Sequence, residues 1–426
     1  MMRRVGIGIA LLLVLAVIAI AAAWPRAEFI PAASPQAWAA TPANIARGAY
    51  LARAGDCMAC HTARGGAPYA GGRILDTPFG SLVAPNITPD AQSGIGAWSA
   101  DDFWHALHNG IAPGGRLLYP AFPYPNYTKV TRADSDAVYA YLRSLAPVRQ
   151  PRRPHALRFP YDRQPALAAW RLLYFRPGVH ADDPAHPADW NRGAYLVEGL
   201  GHCSACHSGR NGLGATGSDL AGGLIPVLGW YAPSLTSDAE AGLGQWDTAH
   251  VVQLLRTGVS PQGAVFGPMA EVVRESLQHL SEEDVGAMAV YLKSLPAQGT
   301  PPAPAAPPPE AVAKLGAALY ETHCVDCHGA DGRGAASGGH MVYPPLAGNR
   351  ALTMAEPVNA IRIVLNGGFA PATAGNPRPY GMPPYSPVLS DAEVAAVVTY
   401  VRSSWGNAAG GVTPAQVNRY RAVPME

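Results

Sequence analysis

Apolar positions along this 426-residue chain fall into one unbroken run and several short helical stripes. The unbroken run is Val5 to Trp24, twenty residues without a charge directly after Arg3 and Arg4. That length spans a bilayer as a helix, and the flanking arginines place the N-terminus on the cytoplasmic side. Ala21-Ala22-Ala23 also offers small residues to a peptidase. Residues 1–24 therefore read as a retained anchor or a cleaved signal, and either exports the body of the chain.

Beyond this run a short helical pattern recurs as Arg47-Gly48-Ala49-Tyr50-Leu51, Arg192-Gly193-Ala194-Tyr195-Leu196 and Gly316-Ala317-Ala318-Leu319-Tyr320. The first two units repeat further. Ala84-Pro85-Asn86-Ile87-Thr88 returns as Ala232-Pro233-Ser234-Leu235-Thr236, and Gly94-Ile95-Gly96-Ala97-Trp98 as Gly242-Leu243-Gly244-Gln245-Trp246. Both close on an aromatic helix, Tyr141-Leu142-Arg143-Ser144-Leu145 and Tyr291-Leu292-Lys293-Ser294-Leu295. An offset of about 148 residues fits a duplicated domain rather than a solenoid. The third unit closes with a predicted helix from Ser390 to Trp405, its first turn loaded with Asp391 and Glu393.

The pattern predicts a mainly α, loop-rich chain with domains at 43–147, 188–296 and 310–405. Residues 148–187 read as a linker whose apolar stretch, Leu167 to Phe175, is expected to pack between domains, with membrane contact as the alternative. Residues 297–309 read as a Pro-rich extended spacer, and 406–426 as a tail with no predicted structure. Composition agrees: Pro is about twice its usual share of roughly 5%, and charged residues are only 14%. With 31 basic against 30 acidic residues and no basic run past the N-terminus, nothing points to a nucleic-acid partner.

All six cysteines fall in one pattern: Cys57-Met58-Ala59-Cys60-His61, Cys203-Ser204-Ala205-Cys206-His207 and Cys324-Val325-Asp326-Cys327-His328. This is the attachment signature of haem c. Two thiols three positions apart reach the two vinyl groups of one porphyrin, and the adjacent His lies under the iron. Zinc would need paired motifs, and a disulfide framework would not place His after every second Cys. The expectation is three haems c, held by Cys57, Cys60, Cys203, Cys206, Cys324 and Cys327, with His61, His207 and His328 as proximal ligands.

The opposite face of an electron-transfer haem is often capped by Met sulfur, which raises the potential. Met269 in Phe266-Gly267-Pro268-Met269 and Met382 in Tyr380-Gly381-Met382-Pro383-Pro384 occupy the loop position expected in a small cytochrome c fold. Met288 reads as core, and Met341 and Met354 rank below Met382. Unit one differs, because no methionine lies between Met58 and Met269. Its loop reads Leu118-Tyr119-Pro120-Ala121-Phe122-Pro123-Tyr124. The first haem is then open, water-bound, or capped by His105 or His108, which lie about one helical turn apart.

With these motifs the chain resembles the three-haem cytochrome c subunits of bacterial membrane-bound alcohol, gluconate and aldehyde dehydrogenases. The resemblance covers roughly residues 43 to 405. Its most specific parts are Asn86-Ile87-Thr88-Pro89-Asp90, Gly94 to Trp98, Tyr119-Pro120-Ala121 with Pro123-Tyr124, and Arg192 to His207. The family's first loop usually reads Tyr-Pro-Ala-Met-Pro-Tyr, so Phe122 stands where the ligand is expected. The resemblance implies three tandem class I cytochrome c-like domains on the periplasmic side of the inner membrane. It also implies a separate catalytic subunit (quinoprotein, flavoprotein or molybdoprotein) as electron donor and ubiquinone or another carrier as acceptor. Two rival readings are a haem enzyme using an open first haem on peroxide or a small gas, and a free-standing carrier serving an oxidase.

Overall fold

Each closing helix begins on a hydroxyl side chain that accepts the N–H three residues on. Thr131 caps Arg132–Ser144, Ser281 caps Glu282–Ser294 and Ser390 caps Asp391–Arg402. Against them lie the opening helices Pro42–Ala54, Ala188–Tyr195 and Glu310–His323. Each pair touches at a buried glycine, Gly48, Gly193 or Gly316. A Cβ there would fall 1.9 Å from Ala137 O, 2.0 Å from Ala287 O and 2.4 Å from Ala396 O. Tyr141, Tyr291 and Tyr400 present their own Cβ atoms to the same three points. The crossing is thus one device used three times, with backbone against backbone and a tyrosine beside it.

In the first two copies an arginine before the glycine reaches the acid of the opposing cap. Arg47 Nε donates to Asp134 at 3.0 Å, and Arg192 grips both oxygens of Asp284 at 2.7 Å. Leu315 replaces that arginine in the third copy. Glu393, left without it, turns back to accept the N–H of Ser390 at 2.8 Å and completes a capping box.

The computed structural model describes residues 38–239, 241–299, 305–337 and 340–423. The expected anchor or signal at residues 1–24 lies outside them. Contacts divide the chain into two compact units, one built from residues up to 52 and 60–181, the other from 53–59 and everything from 182 on.

In the first unit Ile74–Thr77 pairs with Gly80–Val83, which pairs on its other side with Ala156–Leu157. The stretch read as a linker is therefore folded. Its helix, Gln164–Tyr174, packs Leu167 and Ala168 on Leu117. Gln164 accepts the Leu117 N–H at 2.8 Å, and buried Arg171 lies 5.1 Å above the Tyr124 ring. An apolar stripe expected between domains instead braces the loop that contains Phe122.

The second unit holds two crossings docked on each other. Asn359, on the helix Val358–Asn366, exchanges two hydrogen bonds with the Tyr231 backbone, at 2.9 Å and 2.8 Å. Fully buried Arg362 stacks 4.9 Å above Trp230. The tail also folds: Pro414–Arg421 starts on a Thr413–Gln416 capping box and inserts Val417 into the core with Ile361, Leu365 and Val394. Arg421 ties it to Asp391 at 2.6 Å.

The crossing makes a prediction with a built-in control. Gly193→Ala forces a methyl into the Ala287 carbonyl and is expected to destabilise the second unit by about 1–3 kcal/mol or more. Gly286 lies on the facing helix with nothing within 4 Å of its Cβ position. Gly286→Ala should gain about 1 kcal/mol of helix propensity. Urea midpoints followed by circular dichroism should move in opposite directions for the two.

Candidate haem centres

The residue ahead of each of the first two signatures is wound left-handed, Asp56 at φ 48° and His202 at φ 38°, which stops the opening helix. A single turn follows. It runs Cys57–His61 in the first copy, and Ser204–His207 and Val325–His328 continue from Cys203 and Cys324. The Cys203 and Cys324 carbonyls accept the N–H of His207 and of His328, both at 2.9 Å. One helical turn places residues three apart on one face, the spacing that two thioethers to one porphyrin need. None of the six is in a disulfide.

Each histidine is oriented by a backbone carbonyl. Nδ1 donates to Pro85 O at 2.8 Å from His61, to Pro233 O at 2.7 Å from His207 and to Pro344 O at 3.0 Å from His328. That bond fixes the tautomer and leaves Nε2 with its lone pair for a metal. Burial lowers the pKa of all three imidazoles, that of His207 to about 4, with the Pro233 bond opposing the shift. They are neutral at pH 7, the form a metal needs.

A second backbone bond closes each site. The N–H of Gly71, Gly222 and Gly334 donates to the carbonyl of His61, His207 and His328, at 2.7, 2.8 and 2.9 Å. These glycines have φ of 77°, 93° and 68°, in the left-handed region that a side chain disfavours. Sequence reading missed both the proline carbonyls and the glycines. Pro85 and Pro233 were visible as a repeat, but nothing in a residue's identity tells which carbonyl it will present.

Burial raises the thiols, Cys203 to about 12 and Cys324 to about 11, so neither is poised as a thiolate nucleophile. Among the described residues, no three His, Cys, Asp or Glu side chains gather as a metal cluster would require. Unbridged thiol pairs on one turn, each beside a neutral and oriented histidine, fit a covalently attached haem.

The candidate sixth ligands lie in unlike settings. Met269, expected in a loop, is the second residue of the helix Pro268–Glu275, which follows Gly267 at φ 56°, and is half-buried. Met382 is half-buried on a two-residue strand paired with Gly368–Phe369. Met288 and Met354 are packed in the core. In the first unit Phe122 sits in a turn, its N–H donated to Tyr119 O at 3.0 Å and its ring 5.3 Å from that of Tyr127. His108 is buried, stacked 4.5 Å from Trp104, with Nδ1 3.4 Å from the Thr128 hydroxyl. His105 Nδ1 lies 3.2 Å from the Asn109 side-chain amide.

Comparison with known proteins adds to this geometry. The family described as Cytochrome c matches residues 45–146, 191–296 and 313–405. The gluconate 2-dehydrogenase cytochrome c subunit of Pantoea cypripedii is 41% identical over 398 residues, 88% of this chain and 89% of that protein. The cytochrome c subunit of the quinone alcohol dehydrogenase of Gluconacetobacter polyoxogenes is 38% identical, covering 90% of this chain and 85% of its own length. The fructose dehydrogenase cytochrome subunit of Gluconobacter japonicus is 36% identical over 408 residues, 89% of this chain and 83% of that protein.

Proposed function

Because the chain belongs to the cytochrome c family and carries three haems c, we propose that it takes electrons from a catalytic dehydrogenase subunit. It passes them to ubiquinone or another carrier at the periplasmic face of the inner membrane. The observation that carries this reading is the threefold recurrence, in one chain, of a thiol pair on a helical turn beside a histidine oriented by a proline carbonyl.

The residue roles follow. Cys57 with Cys60, Cys203 with Cys206, and Cys324 with Cys327 anchor the three groups through thioethers. His61, His207 and His328, each aimed by its Nδ1 bond, would bind the irons. Met269 and Met382 would supply the sulfur ligands that close the second and third sites to water. Bound haem supplies one-electron redox chemistry, and the protein supplies spacing, ligands and a low-dielectric surrounding.

Relatives named for gluconate, alcohol and fructose dehydrogenases act with chemically unlike substrates. That is expected if substrate recognition belongs to the partner, whether quinoprotein, flavoprotein or molybdoprotein. Membrane association rests on residues 1–24; among the described residues no helix is long and apolar enough to cross a bilayer.

Phe122 favours a second reading, in which the first site has no sulfur ligand and reacts with peroxide or a small gas. Affinity purification of the tagged chain from its native host separates the two. A large dehydrogenase subunit should come with it, and the isolated chain should show no peroxide turnover. Peroxide turnover by the chain alone, with no partner retained, would overturn the electron-transfer assignment.

A further inference from the structure

The third domain reaches into the surroundings of the second site with one charge. Arg350 opens the short helix Arg350–Thr353, which Asn349 fixes by accepting the Ala351 N–H at 3.0 Å and donating to Pro345 O at 2.9 Å. From there its Nη1 donates, at 3.4 Å, to the carbonyl of Ser234. The preceding carbonyl, Pro233 O, is the one that orients His207 at 2.7 Å. The guanidinium therefore lies one peptide unit from the bond that aims the proximal ligand. It also stacks 5.2 Å above the ring of Trp246, the tryptophan of the repeated Gly-x-Gly-x-Trp loop.

This cation makes no ion pair among the described residues. The carboxylate on the same loop, Asp238, is committed elsewhere. It accepts the Ser234 and Thr236 hydroxyls at 2.7 Å, and the Gln298 and Gly299 N–H groups at 2.9 Å and 2.7 Å. Desolvation brings the guanidinium down to about 10, which still leaves it charged at neutral pH.

Resting on the haem assignment above, we propose that Arg350 is a positioning residue of the second centre, raising its reduction potential and coupling it to the docked third domain. The oxidised iron carries one more positive charge than the reduced iron. A fixed cation in a low-dielectric setting therefore disfavours the oxidised state. The same side chain tethers the Ser234 carbonyl, so undocking the third domain would remove both the charge and the tether.

The test is a potentiometric titration of the full-length holoprotein followed by electron paramagnetic resonance. The second centre is identified as the component lost when Cys203 and Cys206 are replaced. In Arg350→Gln its oxidised-to-reduced ratio at a fixed potential should rise about tenfold, a midpoint lowered by about 59 mV for one electron. The other two centres should stay within about twofold, and Arg350→Lys should restore most of the loss. Arg350→Met is the second neutral variant should the Gln form not fold. An unchanged second midpoint in a folded neutral variant, or a Lys variant as low as the Gln one, overturns the proposal. A wild-type protein with no haem at Cys203 and Cys206 would instead sink the site assignment beneath it.

Discussion

Phe122→Met is expected to give the first centre a sulfur ligand and raise its potential by on the order of a tenth of a volt, within the roughly 0.8 V that axial ligation spans. The loop is already shaped for it. Pro120 and Pro123 stiffen the turn, the Phe122 N–H is held by Tyr119 O, and the Phe122 carbonyl accepts the Tyr124 N–H at 2.7 Å. Buried Tyr124 is clamped from behind by Arg171 and Phe175. Met is unbranched and adaptable, so it can replace the ring with little change in the backbone. In the wild-type chain an open first iron should give a high-spin ferric signal and bind carbon monoxide when reduced, and the Met variant should lose both. If His105 or His108 caps the iron, the wild type is low-spin, and replacing that His exposes it. Three His/Met signatures in the wild type would show that Phe122 has been misread.

Replacing Cys203 and Cys206 together by Ala should leave two covalent haems per chain and unfold most of the second domain. A porphyrin presents more apolar surface than an aromatic side chain, which itself buries about 150–250 Å². At roughly 25 cal/mol per Å² its loss costs on the order of 5 kcal/mol or more, comparable with a domain's whole stability of about 5–15 kcal/mol. The third domain has its own core around Ile361, Leu365 and Val394 and should keep its haem signal, while its contacts through Asn359 and Arg350 to Tyr231 and Ser234 are lost. Pyridine haemochrome assay should count two haems, and limited proteolysis should cut beyond residue 188 while sparing the first unit. A variant with the wild-type melting curve would contradict this.

What was legible in the sequence is what side-chain identity encodes. The signatures and the closing helices depend on thiols, imidazoles and apolar or aromatic side chains at fixed offsets. Gly48, Gly193 and Gly316 were visible inside the helical repeat, but the reason for them was not. It lies in the Ala137, Ala287 and Ala396 carbonyls on another helix. The carbonyls of Pro85, Pro233 and Pro344 were hidden for the same reason: every residue has one. The helix Pro414–Arg421 carried a readable signal, Thr413 followed three residues later by Gln416, yet its anchor to Asp391 is tertiary. The segment 148–187 looked like a linker because its Pro and Arg content masks a strand that pairs only once Gly80–Val83 is in place.

The central claim is that this chain carries electrons for a partner. The direct measurement is to isolate the complex, make it anaerobic, add the partner's substrate and follow the haem α-band. The account predicts that substrate reduces covalent haem of this chain, and that a soluble ubiquinone analogue then reoxidises it. Haems that stay oxidised while the same partner reduces an artificial dye would contradict it.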